Sequence, residues 1–243
     1  MILDIFKEII DNTCNWFRKT YKCLIVILLY ILYQSNFIFY IAKDIGIDIN
    51  KVSRTPRICI FTLVDIVYIL ILLLMFKKEI KDGIKDLKEN FADRAFLSVK
   101  CWLIGCIIMT TSSILLSIIL KEKVSDNEQL VRESIKLAPI YMLFSCSIVA
   151  PIFEELLFRR SVYGLVKKVW PYIFISGFSF GLLHVLGSFN NTLDFLYIIP
   201  YGSMGCAFAY LYSKTKNISL PIIVHMIHNT VLVIVQIVGG LHG

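Results

Sequence analysis

The sequence predicts an all-α membrane protein, a polytopic helix bundle of about seven transmembrane helices with an amphipathic helix at the N-terminus. Two observations carry this. The 243 residues are 57% hydrophobic and only 18% charged, with a mean hydropathy of +0.73, whereas soluble domains are about 45–50% apolar and about 25% charged. The apolar residues are also gathered into runs of about 20, the length a helix needs to cross a ~30 Å hydrocarbon core. A soluble enzyme, a disordered chain and a disulfide scaffold are therefore excluded. Runs that are continuously apolar, not alternating with polar residues, also argue against an outer-membrane barrel.

Taken in order, residues 1–22 place Ile2, Ile5, Phe6, Ile9 and Ile10 at helical spacing, with Trp16 and Phe17 beyond. That is the pattern of a helix lying in the membrane interface. Asp4, Glu8 and Asp11 do not suit the basic start of a secretory signal. Seven spans are predicted, at 23–42, 58–76, 101–120, 137–157, 172–187, 193–213 and 218–238. Between the second and third, residues 77–100 carry Ile80, Ile84, Leu87 and Phe91 at i, i+4, i+7 and i+11 among Lys and acidic residues. This reads as an amphipathic connector along the surface, favoured over a lipid- or substrate-docking element. Pro171 opens the fifth span, where proline sacrifices no helical hydrogen bond. Residues 1–136 form an N-terminal membrane region and residues 137–243 a membrane core that holds most of the misplaced polar groups. The seven cysteines (Cys14, Cys23, Cys59, Cys101, Cys106, Cys146, Cys206) lie mostly inside apolar runs and form no Cys-x-x-Cys, so they read as small buried hydrophobes.

The net charge of +7 fits basic loops facing anionic lipid better than a nucleic-acid partner. With the N-terminus inside, the inner segments 1–22, 77–100, 158–171 and 213–217 hold 17 Lys and Arg, and the outer segments hold 8. The expected location is the cell membrane, multi-pass, with a cytoplasmic N-terminus.

Ionisable side chains within spans cost about 2.5–3.5 kcal/mol on insertion scales and are functional candidates by default. Asp65 stands alone in the second span, and its sequence context assigns it no role. Glu155 and Arg159 are i and i+4, so they share a helix face and can pair. Glu154 projects about 100° away without a local counter-charge, which suits either a general base or the polar cap of a span end. His184 is either a site residue or a bond between helices. His225 and Asn229 share one face of the last span, with His228 bordering it. Such a stripe supplies two donors to a developing oxyanion or ligands to a metal, although no His-Glu-x-x-His is present.

Together, Ala150-Pro151-Ile152-Phe153-Glu154-Glu155-x-x-x-Arg159, Phe180-x-x-x-His184 and His225-x-x-x-Asn229, in this order on three apolar helices, resemble the motifs of the CAAX-prenyl-protease and bacteriocin-processing (Abi) family. The resemblance covers about residues 137–238. It implies a membrane-embedded endopeptidase hydrolysing a peptide bond in a membrane-associated protein or peptide, prenylated or not, within or near the cytoplasmic half of the bilayer. It also implies a link to peptide or bacteriocin processing or self-immunity. Carried over, Glu154 and His184 activate water, His225 and Asn229 form the oxyanion hole, and Glu155 and Arg159 support the site. No tightly bound cofactor is expected, with zinc as the alternative. The competing expectation is a non-proteolytic immunity factor or binding protein. Two features depart from the simplest picture. Arg160 stands where many members have a small residue, and the span edges put Glu154 and His184 at different depths, about 10 Å apart at 1.5 Å per residue.

Overall fold

A computed structural model describes residues 20–121, 124–166, 168–188 and 191–241. The amphipathic helix expected over residues 1–22 lies almost entirely outside the described residues. Among these the chain is a helical bundle without strands. The first predicted span is not one clean helix. It consists of α1 (Thr20–Gln34) and α2 (Phe37–Asp44), bent by 59° where Asn36 takes a left-handed conformation (φ 53°), one that asparagine tolerates better than most residues.

Six further helices are long and apolar enough to cross a membrane. They are α3 (Arg54–Met75), α5 (Phe91–Leu120), α7 (Pro139–Leu165), α8 (Val169–Leu186), the helix-rich stretch 192–215 ending in α9 (Ile198–Thr215), and α10 (Ser219–Leu241). Two short polar helices, α4 (Lys77–Glu89) and α6 (Asp126–Leu137), connect them. Helices α3 and α5 expose Leu63, Leu70, Leu74, Ile107 and Ile118. Such surfaces are expected where lipid, not water, is the solvent.

The 77–100 connector is two pieces. The chain turns at Asn90, whose amide bonds back to Asp86, and Phe91 begins the 30-residue α5. Nor does the predicted apolar stripe dock as a unit, since Ile84 and Phe91 are exposed. Polar contacts hold α4 instead. Asn217 donates to the Gly83 carbonyl (2.7 Å) and to Asp86 (2.8 Å), and the Ser219 hydroxyl donates to the Ile80 carbonyl. Arg160 lies 3.7 Å from Glu79, so this departure from the family pattern ties the end of α7 to α4.

Helix α7 is central: Pro151–Phe153 and Glu155–Phe158 are buried, and Phe153, Leu156 and Phe158 join one core with Val26, Tyr30, Leu72, Tyr172, Phe180 and Ile222. Helices α8 and α9 approach closely through Gly177, Gly181, Gly202 and Gly205. A Cβ on Gly181 would lie 2.7 Å from the Ile198 carbonyl oxygen and 2.9 Å from the Gly202 nitrogen. Small residues permit this backbone contact in a membrane, where packing replaces the hydrophobic drive.

Two outcomes are expected. Gly181→Ala should force α8 from α9 and cost about 1–3 kcal/mol, the range for overpacking, read as a lower melting temperature in detergent. Arg94, which bonds Asp86 through two nitrogens at 2.8 Å, together with Asn217 holds the Asp86 carboxyl down to about 2. A carboxyl lowered on folding adds stability that is complete above its unfolded value of ~3.9 and is lost as pH falls through the folded value. Amide exchange on α4 should therefore accelerate between about pH 4 and pH 2, relative to helices without such a group, and Asp86→Asn should flatten that dependence.

Candidate active site

Helix α7 is not regular. Ser145–Val149 and Glu155–Ser161 are π-helical, with α-helical Ala150–Glu154 between them. π-segments occur often at functional sites, and here the first has a visible consequence. The Ala150 N–H bonds to the Ser145 carbonyl, five residues back. The next donor would be residue 151, which is proline and has no N–H. The Cys146 carbonyl is thereby free to accept from Asn229 Nδ2 of α10 at 2.9 Å. In the second segment the Ser161 hydroxyl closes a five-residue turn onto the Leu156 carbonyl at 2.8 Å.

Glu155 and Arg159 form an ion pair of 2.8 Å with both side chains fully buried. Glu155 also accepts from His225 Nδ1 at 2.8 Å, since an ionised carboxylate is an acceptor only. The Arg159 guanidinium lies 4.6 Å from the centre of the Phe180 ring and 5.5 Å from that of Phe208, a cation–π environment. One carboxylate thus joins α7 to α10 and, through its arginine, to α8 and α9. With Nδ1 committed, His225 turns Nε2 toward Glu154, whose Oε2 lies 3.8 Å away. That separation is too long for a hydrogen bond, and Glu154 Oε2 is buried without a hydrogen-bond partner.

His184 bonds through Nδ1 to the Phe180 carbonyl at 2.9 Å, so Nδ1 is the protonated nitrogen and Nε2 of the neutral ring is an acceptor. Its ring stacks on Tyr201 at 4.8 Å. Glu154, His184, His225 and Asn229 all line a cavity of about 610 Å³. The depth gap expected from the span edges does not separate Glu154 from His184. Helix α7 continues to Leu165, which puts Glu154 within the helix and not at its end.

The same wall contains His228, which the sequence reading left at the border of the His225–Asn229 face. Its Nδ1 accepts from the Trp102 indole at 3.2 Å, so in the neutral ring Nε2 carries the hydrogen. The spacing to His225, three residues, was the available signal; Trp102 lies 126 positions away and gave none. Asp65 is not in this cavity. It accepts from the hydroxyls of Tyr33 (2.9 Å) and Tyr141 (3.1 Å), joining α1, α3 and α7. Among the described residues no three His, Cys, Asp or Glu side chains converge as a metal-ligand group.

The family described as Type II CAAX prenyl endopeptidase Rce1-like matches residues 136–231, a segment containing every one of these motif residues. The match takes in about two fifths of the chain. Over 116 residues the chain is 35% identical to a relative named as a membrane peptidase, YdiL of Bacillus subtilis, covering 46% of this chain and 44% of YdiL. It is 24% identical over 235 residues to the membrane-embedded CAAX protease MroQ of Staphylococcus aureus, covering 91% of both chains. It is 29% identical over 128 residues to YaiH of Lactococcus lactis, covering 51% of this chain and 49% of YaiH. The matches to YdiL and YaiH thus span about half of those relatives' own length. No solved structure matches at a significant level. The family read from the motifs is the family whose model matches, and the matched segment is the part of the chain in which the polar residues cluster.

Removing either glutamate separates their duties. Glu155→Gln leaves Arg159 as an uncompensated buried charge, a change that costs about 3–5 kcal/mol when one partner of a buried pair is lost. The variant should melt well below wild type or fail to accumulate. Glu154→Gln removes an unpaired carboxylate of the same shape and should accumulate normally. Equal accumulation and equal melting of the two variants would show that the Glu155–Arg159 pair does not hold the site together.

Proposed function

We propose that the protein is a membrane-embedded endopeptidase that hydrolyses a peptide bond in a membrane-associated peptide or protein, with Glu154 as the general base. The observation that carries this is the shared cavity lined by Glu154, His184, His225 and Asn229. The competing reading is a non-proteolytic immunity or binding protein whose polar residues only join helices. In that reading each would be spent on a partner, as Asp65 is, whereas Glu154 Oε2 is left without one.

In the proposed reaction a water held by His184 Nε2 gives a proton to Glu154. The hydroxide attacks the peptide carbonyl. Protonated His225 Nε2 and the second amide hydrogen of Asn229 donate to the oxygen as it becomes negative. Glu154 then returns the proton to the departing nitrogen as the C–N bond breaks. Glu155 holds the His225 ring through Nδ1, and Arg159 holds Glu155. No step is routed through a metal. The N-terminus is cytoplasmic in this proposal, on the balance of basic residues. The match to a family of CAAX-type endopeptidases supports the reaction class. Peptide or bacteriocin processing, with or without a role in self-immunity, is the proposed setting.

The test is a comparison of membrane peptides from cells carrying wild type and Glu154→Gln. An uncut precursor should accumulate in the variant; identical peptide sets with normal variant levels would overturn the peptidase reading. With a purified substrate, Asn229→Ala should lower kcat by about 10²–10³ with little change in KM, the signature of losing one oxyanion donor. Normal turnover would remove Asn229 from that role.

A further inference from the structure

The cavity that holds Glu154 is displaced toward one face of the bundle. It runs from Glu154 and His225 past Ser113 in the second half of α5 and Leu232 toward the end of α10, and reaches Glu128 and Arg132 on α6. Helix α6 forms its rim and is fastened there. The Ser125 and Tyr201 hydroxyls lie 2.7 Å apart, and Gln236 donates to Glu128 at 2.6 Å. Helices α5 and α10 end at this face and α9 begins there. The opposite face carries α4 and the Lys216–Ile218 turn between α9 and α10, joined by Asn217.

The basic residues lie largely opposite the cavity rim. Segments 77–100, 160–171 and 213–217, which leave out the buried Arg159, hold twelve Lys and Arg, whereas 121–136 holds four and 188–192 none. Short loops rich in Lys and Arg stay on the cytoplasmic side. This comparison uses only the loops around α5 and α7–α10, so it does not depend on whether the bent α1–α2 pair crosses the membrane.

We propose that the active-site cavity is entered from the extracytoplasmic face, and that the substrate is a peptide segment presented there: an exported peptide or the outer part of a membrane-anchored one. This replaces the cytoplasmic half expected from the span edges and rests on the endopeptidase reading. Glu128 and Arg132 are the first charged side chains such a segment meets, and the apolar side chains behind them accept its residues. A substrate with a cytosolic cleavage site would have to cross the bilayer before reaching Glu154.

The experiment labels single cysteines in intact cells with a membrane-impermeant maleimide, after the seven native cysteines have been replaced. The positions are Gln129→Cys on the exposed side of α6, Ser113→Cys in the cavity, and Lys85→Cys on α4. Gln129→Cys and Ser113→Cys should label fully without opening the cells, and Lys85→Cys only after lysis. The reverse pattern would overturn the proposal, as would a Ser113→Cys that labels only from the Lys85 side or from neither. If the cysteine-free protein does not accumulate, an epitope inserted after Gln129 in the otherwise unchanged chain should be reached by antibody on intact cells; an epitope hidden until lysis would overturn the proposal. Labelling reads topology alone, so a failed peptidase reading would appear separately, as unchanged membrane peptides in the Glu154→Gln cells.

Discussion

The Glu155–Arg159 pair, with both side chains fully buried, is the constraint on which the rest of the site depends. Two charges removed from water are costly unless each is satisfied. Glu155 answers this by accepting from His225 as well as facing Arg159. Arg159 faces Glu155 and lies against the rings of Phe180 and Phe208. These demands recruit α8, α9 and α10 around α7. The same contacts orient the His225 ring, so a stabilising requirement of the core also aims Nε2 at Glu154.

The irregularity of α7 is coupled to this arrangement. Two π-segments flank the turn that carries Glu154, and Pro151 removes the donor that would otherwise occupy the Cys146 carbonyl. Asn229 takes that acceptor and ties α10 to α7 a second time, one turn from His225. A regular helix without proline would have used its own carbonyls internally and offered α10 no backbone partner. The small-residue contact between α8 and α9 acts at a distance: it sets Phe180 against Arg159 and His184 against Tyr201. The two tyrosines on Asp65 play a comparable joining role away from the cavity.

Much of the fold was legible because lipid imposes a length and a polarity on every crossing segment. Four of the six later spans were found within a few residues of their ends, whereas α5 begins ten residues before the predicted third span and α7 runs eight residues beyond the predicted fourth. The errors lie where a local interaction competes with hydrophobicity: Asn36 bends the first span, and Asn90 ends α4 and frees Phe91 to start α5. The apolar stripe of 77–100 misled because α4 is held by Asn217 and Arg94, polar partners that periodicity does not register. Arg160 was an unexplained departure until Glu79, far away in the chain, was seen beside it.

By itself the sequence determined the membrane class, the order of the helices, the family that residues 136–231 resemble, and which polar residues were out of place. Hydrophobic run length, charge and motif spacing are local properties that survive in one dimension. Only the tertiary structure decided which of those residues meet. Glu154, His184, His225 and Asn229 line one cavity while Asp65 does not, His228 joins them through Trp102, and the cavity lies toward the face of α6. Those outcomes depend on the rotation and depth of each helix against its neighbours. Close packing and the pairing of buried polar groups set them, and neither is written in any single span.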